Sequence, residues 1–264
     1  MTFFTVSLLL SNNSIKLCQS IICFPFSGVP LGTVQKIFAG VTDSPRYDTP
    51  DALHRAFDSS DTQPDLVREA LGAYGSKQQG EYTLDDYYAL PDDLRVELID
   101  GVFYKMSSPT TIHQLIISLI WKDLWDYIEE KKGGCLPFAS PVDVQLDWDD
   151  RTILQPDVLI VCDRDKIIRR CIYGAPDFIV EVLSPATRRK DSYLKLQKYA
   201  NAGVSEYWLI DSDRKKILVY DLVHEEPPVI YGFDSTIPVA LYDGECKIDF
   251  QKIHERIKFI YETE

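Results

Sequence analysis

The chain has 264 residues, 45% hydrophobic and 26% charged, with 28 Lys and Arg against 41 Asp and Glu for a formal net charge of −13. This length suits one domain with an extension, and the composition excludes disordered, collagenous and low-complexity classes. The negative balance repels polyanions from most of the surface, so any nucleic-acid role must rest on a local basic patch.

Residues 1–40 mix apolar clusters with Ser, Asn, Gly and Pro at no sustained period and receive no assignment. Met1 to Leu9 are mostly apolar, a little like the core of a signal peptide, but no Lys or Arg precedes them and no small-x-small site follows cleanly, so a cleaved leader is not expected. No run reaches the roughly 18 apolar residues that span a bilayer, so no membrane role is expected. Residues 43–69 carry Asp43, Asp48, Asp51, Asp58, Asp61, Asp65 and Glu69 among Ser, Thr and Pro, which reads as an acidic linker with a short helix near 64–73. The organisation is therefore an N-terminal extension over 1–80 and a domain over 81–264.

Within that domain, Thr83 followed by Asp86 is a capping-box-like helix start, and Pro91 ends the helix after Leu90. Val96 to Ile99 and Val102 to Tyr104 flank Asp100-Gly101, a dipeptide that supplies positive φ for a two-residue hairpin turn. From Thr110, Ile112, Leu115, Ile116, Leu119, Ile120, Leu124, Trp125 and Ile128 recur at helical spacing until Gly133-Gly134. Val142 to Leu146 alternates like a half-buried strand, and Val158 to Val161 is apolar on both faces. A strand from Asp177 to Leu183, a helix from about Asp191 to Ala200, and strands at Tyr207 to Ile210 and Lys216 to Tyr220 complete the pattern. Beyond Tyr220 no element is assigned. The order αββαβββαββ implies an α/β fold with a mixed sheet flanked by helices.

The six cysteines, at 18, 23, 135, 162, 171 and 246, include no CxxC pair and no histidine at metal-ligand spacing, which argues against zinc. Cys162 lies in an apolar run, where a free thiol behaves as a small hydrophobe, so a reducing, cytoplasmic location is expected.

Glu181 interrupts the apolar strand Phe178-Ile179-Val180-Glu181-Val182. An unpaired carboxylate there would cost several kcal/mol, so it should meet a cation. Asp157 opens the preceding apolar strand, and antiparallel pairing of the two would bring Asp157 beside Glu181. Two carboxylates at a sheet edge suit Mg²⁺ or Mn²⁺, with water and phosphate completing the shell. Asp191, Lys195 and Tyr199 fall at i, i+4 and i+8 of the next helix, a stripe that can bring Lys195 to Glu181. Residues 164–198 hold nine Lys and Arg against four Asp and Glu, a basic island suited to a phosphodiester substrate, with Arg188, Arg189, Lys190 and Lys198 as candidate substrate contacts.

These blocks resemble the Uma-two family of restriction-endonuclease-like proteins, a branch of the PD-(D/E)XK nuclease superfamily. The resemblance spans about Tyr82 to Phe250. It rests on Tyr82 to Tyr87, Val96 to Gly101, Ser108-Pro109 leading to His113, Gln155 to Val158, Pro176 to Pro185, the Asp191/Lys195/Tyr199 stripe and Ala202 to Asp211. It implies a restriction-endonuclease-like core, Asp157 and Glu181 as metal-binding acids, and Glu97 as a further acid of the site. The superfamily's usual lysine position, two residues after the acid, is Leu183 here; the resemblance moves that lysine to Lys195.

Alternatives stand beside each role. Glu97 could be a solvated strand residue, and His113 either contacts substrate or metal or makes an ordinary helix-start hydrogen bond. Lys195 either serves the reaction or pairs within its helix with Asp191. Tyr199 reads as packing, and Asp211 as part of a turn. Two functions follow: a Mg²⁺- or Mn²⁺-dependent endonuclease acting on DNA, or a non-catalytic binding or assembly module on the same fold. A homodimer is expected, with the strand from Lys216 to Tyr220 and the aromatic segment before it as its face.

Overall fold

The computed structural model describes residues 77–91, 93–146, 149–184, 190–224 and 227–262. The expected acidic linker, its short helix, and candidates Arg188 and Arg189 lie outside these residues.

The domain opens with α1 (Leu84–Tyr88), where Thr83 N donates to Asp86 Oδ2 at 2.8 Å, the reciprocal half of a capping box. Strands β1 (Val96–Ile99) and β2 (Val102–Lys105) pair antiparallel through a turn whose Asp100 and Gly101 have φ of 52° and 78°. Only glycine fits the second position: a Cβ there would lie 2.6 Å from the Gly80 carbonyl oxygen. The long helix α2 (Thr111–Glu130) buries Ile116, Ile117, Ile120, Leu124 and Ile128, the stripe its periodicity demands.

A six-stranded sheet follows. Its members are β3 (Leu136–Ala139), β5 (Val158–Val161), β7 (Phe178–Val182), β8 (Glu206–Asp211), β9 (Lys216–Asp221) and β10 (Val229–Gly232), in the order β10-β9-β8-β7-β5-β3. Only β7 and β8 pair in parallel, so the chain between them must cross over, and it does so through the helical segment 190–202. Side chains alternate between two cores. Val158, Ile160, Phe178, Val180, Trp208 and Ile210 face α2 and the C-terminal helix α4 (Phe250–Tyr261); Leu159, Val161, Ile179, Tyr207 and Leu209 face the crossover helix. Val158 to Val161 are completely buried, each contributing about 1.5–3 kcal/mol of hydrophobic stabilisation. Tyr82, Val96, Leu98, Phe103 and Ile153 form a small third core around the hairpin.

Two expectations are corrected, and the two edge strands of the sheet are ones the sequence pattern missed. The segment Val142 to Leu146 is not a strand of the main sheet: only β4 (Val144–Gln145) is extended, and it pairs with β6 (Ile172–Tyr173). The sheet edge is β3 instead, which Pro137 disguises in the sequence; an edge strand tolerates a proline because one side of its backbone needs no partner. Cys162 is not a free thiol, since the β3–β5 register sets Cys135 opposite it and the two form a disulfide. At the other edge, where no element was assigned beyond Tyr220, β10 pairs with β9, and the exposed apolar residues on it are Val229 and Ile230. The C-terminal chain adds β11 (Thr236–Pro238), β12 (Lys247–Asp249) and α4, which pack on the α2 face. Among the described residues no helix is long and apolar enough to cross a membrane.

Candidate active site

The β5–β7 register pairs Val158 with Val180, and one further step along it sets Asp157 opposite Glu181. Glu181 shares its face with Ile179 and Leu183, toward the crossover helix, where apolar neighbours leave it 3% exposed. Glu97 reaches the same place from β1, on the side of Ile99, and is fully buried.

The crossover helix begins as a π-helix over Lys190–Lys195 and continues as α3 (Leu196–Ala202). The expected stripe assumed an α-helix throughout, in which each four-residue step overshoots a full turn by about 40°. A π-turn undershoots by a similar amount, roughly 30°, so the drift from Asp191 to Lys195 and on to Tyr199 largely cancels. All three side chains thereby face Glu181. Gly203, at φ 92°, ends the helix.

Lys195 Nζ lies 2.7 Å from Glu97 Oε1, 2.8 Å from Glu181 Oε1 and 3.3 Å from Asp191 Oδ1. The Tyr199 hydroxyl donates to Glu181 Oε1 at 2.8 Å, and Gln155 N to Glu97 Oε1 at 3.1 Å. Lys190 pairs with Glu97 Oε2. At the edge of this cluster, Asp157 Oδ2 accepts from Val182 N at 2.8 Å and lies 3.2 Å from His113 Nε2, which comes from the first turn of α2. Both oxygens of Glu97 are therefore engaged. Among the described residues, Asp157 Oδ1 and Glu181 Oε2 accept no hydrogen bond.

The protonation equilibria reflect this crowding. Burial would raise the Glu97 carboxyl, but Lys195 and Lys190 outweigh it and hold it at about 2. Burial, opposed by Lys195 but reinforced by Asp191, Asp157 and Glu97, pushes Glu181 well above the usual carboxylate range. Burial disfavours the Lys195 ammonium, yet Glu181, Glu97 and Asp191 more than compensate and raise its pKa. His113 behaves similarly: burial lowers it, and Asp157 brings it above its ordinary value.

Fully ionised, the four carboxylates would outnumber the two ammonium groups and one imidazole, and the raised pKa of Glu181 relieves that excess of negative charge. Among the described residues no three His, Cys, Asp or Glu side chains converge at metal-binding spacing. The donor chemistry still fits Mg²⁺ or Mn²⁺, because such ions take one or two carboxylates and fill the remaining shell with water and phosphate. The two unengaged oxygens of Asp157 and Glu181 are the donors available.

The sequence-derived candidates divide accordingly. Glu97, Asp157, Glu181, Lys195 and His113 come together. Lys190 is turned inward onto Glu97, and Lys198 pairs with Asp100 in the hairpin turn. Two members of the basic island lie away from the acids: Arg164 and Lys166 follow the opposite end of β5, where Arg164 Nε donates to Gly134 O and Lys166 Nζ to Ala175 O. Tyr199 is more than packing, and its i+8 position was the signal. The Gln155 backbone contact left no trace in the side-chain pattern. Asp211 does cap a turn, accepting from Arg214 N at 3.0 Å.

A family model described as "Uma2: Putative restriction endonuclease" matches residues 84–244. A solved structure described as a putative nuclease belonging to DUF820, from Anabaena variabilis ATCC 29413, matches with a TM-score of 0.53 and 21% identity, over 66% of this chain and 97% of that one. At that identity the likeness concerns the fold. None of the curated proteins matches the chain.

Proposed function

Because the chain belongs to the Uma2 family of restriction-endonuclease-like proteins, we propose that it is a metal-dependent endonuclease hydrolysing phosphodiester bonds in DNA. The observation that carries this reading is the pair of acids, each with one oxygen tied and one unengaged, beside a buried lysine. Asp157 Oδ1 and Glu181 Oε2 would hold Mg²⁺ or Mn²⁺. A bound ion of this kind supplies Lewis-acid polarisation of the scissile phosphate.

The chain's own residues do the rest. With its pKa raised, Lys195 is an ammonium and does not accept a proton; by releasing one of its three carboxylate partners it would orient the attacking water and stabilise charge growing on a phosphate oxygen. Glu97 and Asp191 hold it against Glu181, and Tyr199 fixes the same Glu181 oxygen. Arg188, Arg189, Lys190 and Lys198 would meet the backbone phosphates, which requires Lys190 and Lys198 to exchange their carboxylate partners for phosphate.

The domain would occupy residues 81–264 behind an extension over 1–80. The reading also includes a cytoplasmic location, in which the Cys135–Cys162 disulfide would be an exception to the rule that such bonds persist in oxidising compartments. It includes a homodimer as well, for which the exposed Val229 and Ile230 on the edge strand β10 are the supporting feature. Light scattering that gave only monomer at micromolar concentration would remove the dimer.

A second reading, a non-catalytic binding module, draws on the three carboxylates around Lys195, which a purely structural ion network would also show. Cleavage separates the two. Supercoiled, linear and single-stranded DNA should be incubated with the protein at low salt, with Mg²⁺, Mn²⁺ or chelator, beside Glu181→Ala and Lys195→Ala. Metal-dependent nicking lost in both variants is expected; no cleavage by the wild type under any metal favours the binding module.

A further inference from the structure

Asp157 is the acid whose orientation is set from two layers of the fold at once. From within the sheet, Val182 N donates to its Oδ2 at 2.8 Å; from the helical layer beyond the other core, His113 Nε2 reaches the same oxygen at 3.2 Å. A carboxylate can only accept here, so the nitrogen facing it carries the proton whether the ring is neutral or charged. Asp157 Oδ1 accepts nothing among the described residues.

His113 is itself rigidly placed. It lies in the first turn of α2, its own backbone N–H donating to the Thr110 cap at 3.3 Å, and Ile112, Ile116 and Ile117 seat that turn on the sheet. Its side chain is only 14% exposed, and Nε2 is already committed to Asp157, which leaves little to offer a substrate.

We propose that His113 is a positioning residue: with Val182 N–H it occupies Asp157 Oδ2 and so presents Oδ1, in a single orientation, to the divalent ion. This inference rests on the endonuclease reading and departs from the expectation that His113 touches nucleic acid. Partners that orient metal ligands in this way are worth 10–100-fold in metal affinity.

The test is calorimetric titration of Mn²⁺ into the intact protein without DNA, comparing wild type with His113→Ala, His113→Asn and His113→Gln. The amide nitrogen of glutamine can take the place of Nε2, whereas that of asparagine falls nearer the position of Nδ1. The expected result is a 10–100-fold weaker Mn²⁺ affinity for His113→Ala and His113→Asn, with recovery in His113→Gln. Equal affinity in wild type and His113→Ala overturns the proposal and leaves the endonuclease reading standing. An equal loss in all three variants overturns it too, by making His113 a packing residue. A wild type that binds no Mn²⁺ overturns both.

Discussion

Glu181 and Glu206 are buried glutamates on adjacent strands, and their surroundings could hardly differ more. Glu206 opens β8 and faces the core under α2 and α4. Its Oε1 accepts from Trp208 Nε1 at 2.8 Å and its Oε2 from Leu241 N at 3.1 Å, and no cation pairs with it among the described residues. Burial raises its carboxyl, as it does that of Glu181. Glu181 lies near the end of β7 on the opposite face, with two donors on one oxygen, a lysine beside it, three further acids nearby and its second oxygen unengaged. A fully saturated carboxylate fastens one part of a fold to another, here the C-terminal segment to the sheet. A half-saturated one among surplus negative charge is prepared for a cation.

Removing the lysine should give the largest effect. In Lys195→Ala, Glu97, Glu181 and Asp191 lose their common cation, and stripping one partner from a buried ion cluster costs about 3–5 kcal/mol. Denaturant unfolding measures this. A cost below about 1 kcal/mol would mean that the acids are already neutralised by other means, and the contrast with Glu206 would collapse.

Acid titration comes next. The Glu97 carboxyl is held at about 2 against an ordinary 4.5, so its ion pairs stabilise the fold above pH 4.5 and are lost as pH falls toward 2. The full loss amounts to about 3 kcal/mol. Glu181, with a raised pKa, contributes in the opposite direction, since protonation relieves its repulsion. Comparing wild type with Glu97→Gln between pH 5 and 2 isolates the Glu97 part: the variant should start less stable and lose less. Parallel curves would show that Glu97 is not ion-paired.

Glu206 should give the smallest change and a different kind. Glu206→Ala leaves Trp208 Nε1 and Leu241 N without their acceptor, which costs about 1–3 kcal/mol in thermal or denaturant unfolding. Cleavage measured well below the melting temperature should persist. Loss of cleavage in a folded Glu206→Ala protein would erase the division between the two glutamates.

Much of this was legible in the sequence because it depended on short-range pattern. A lone glutamate in an apolar strand, an Asp-Gly turn and the isoleucine stripe of α2 each carry their own physical signal, and each appears where expected. What depended on partners did not. Pro137 hid β3, and with it the register that pairs Cys135 with Cys162. The π-turn at Lys190–Lys195 answers to the packing of Asp191 and Lys195 beside Glu97 and Glu181, which no local propensity encodes. Arg164 and Lys166 are near Lys195 in sequence, but the antiparallel β5–β7 pair carries them to the other end of the sheet. The helix α4 was readable in principle, from Asp249 as cap and Phe250, Ile253 and Ile257 as its buried face.

The central claim is that the unengaged oxygens of Asp157 and Glu181 form a metal site. Anomalous scattering from a crystal of the wild-type protein equilibrated with Mn²⁺ tests it most directly. The account predicts a peak within coordination distance of both Asp157 Oδ1 and Glu181 Oε2, lost in Glu181→Gln. A peak elsewhere, or none with Lys195 still spanning Glu97 and Glu181, would contradict it and leave the cluster as a structural ion network.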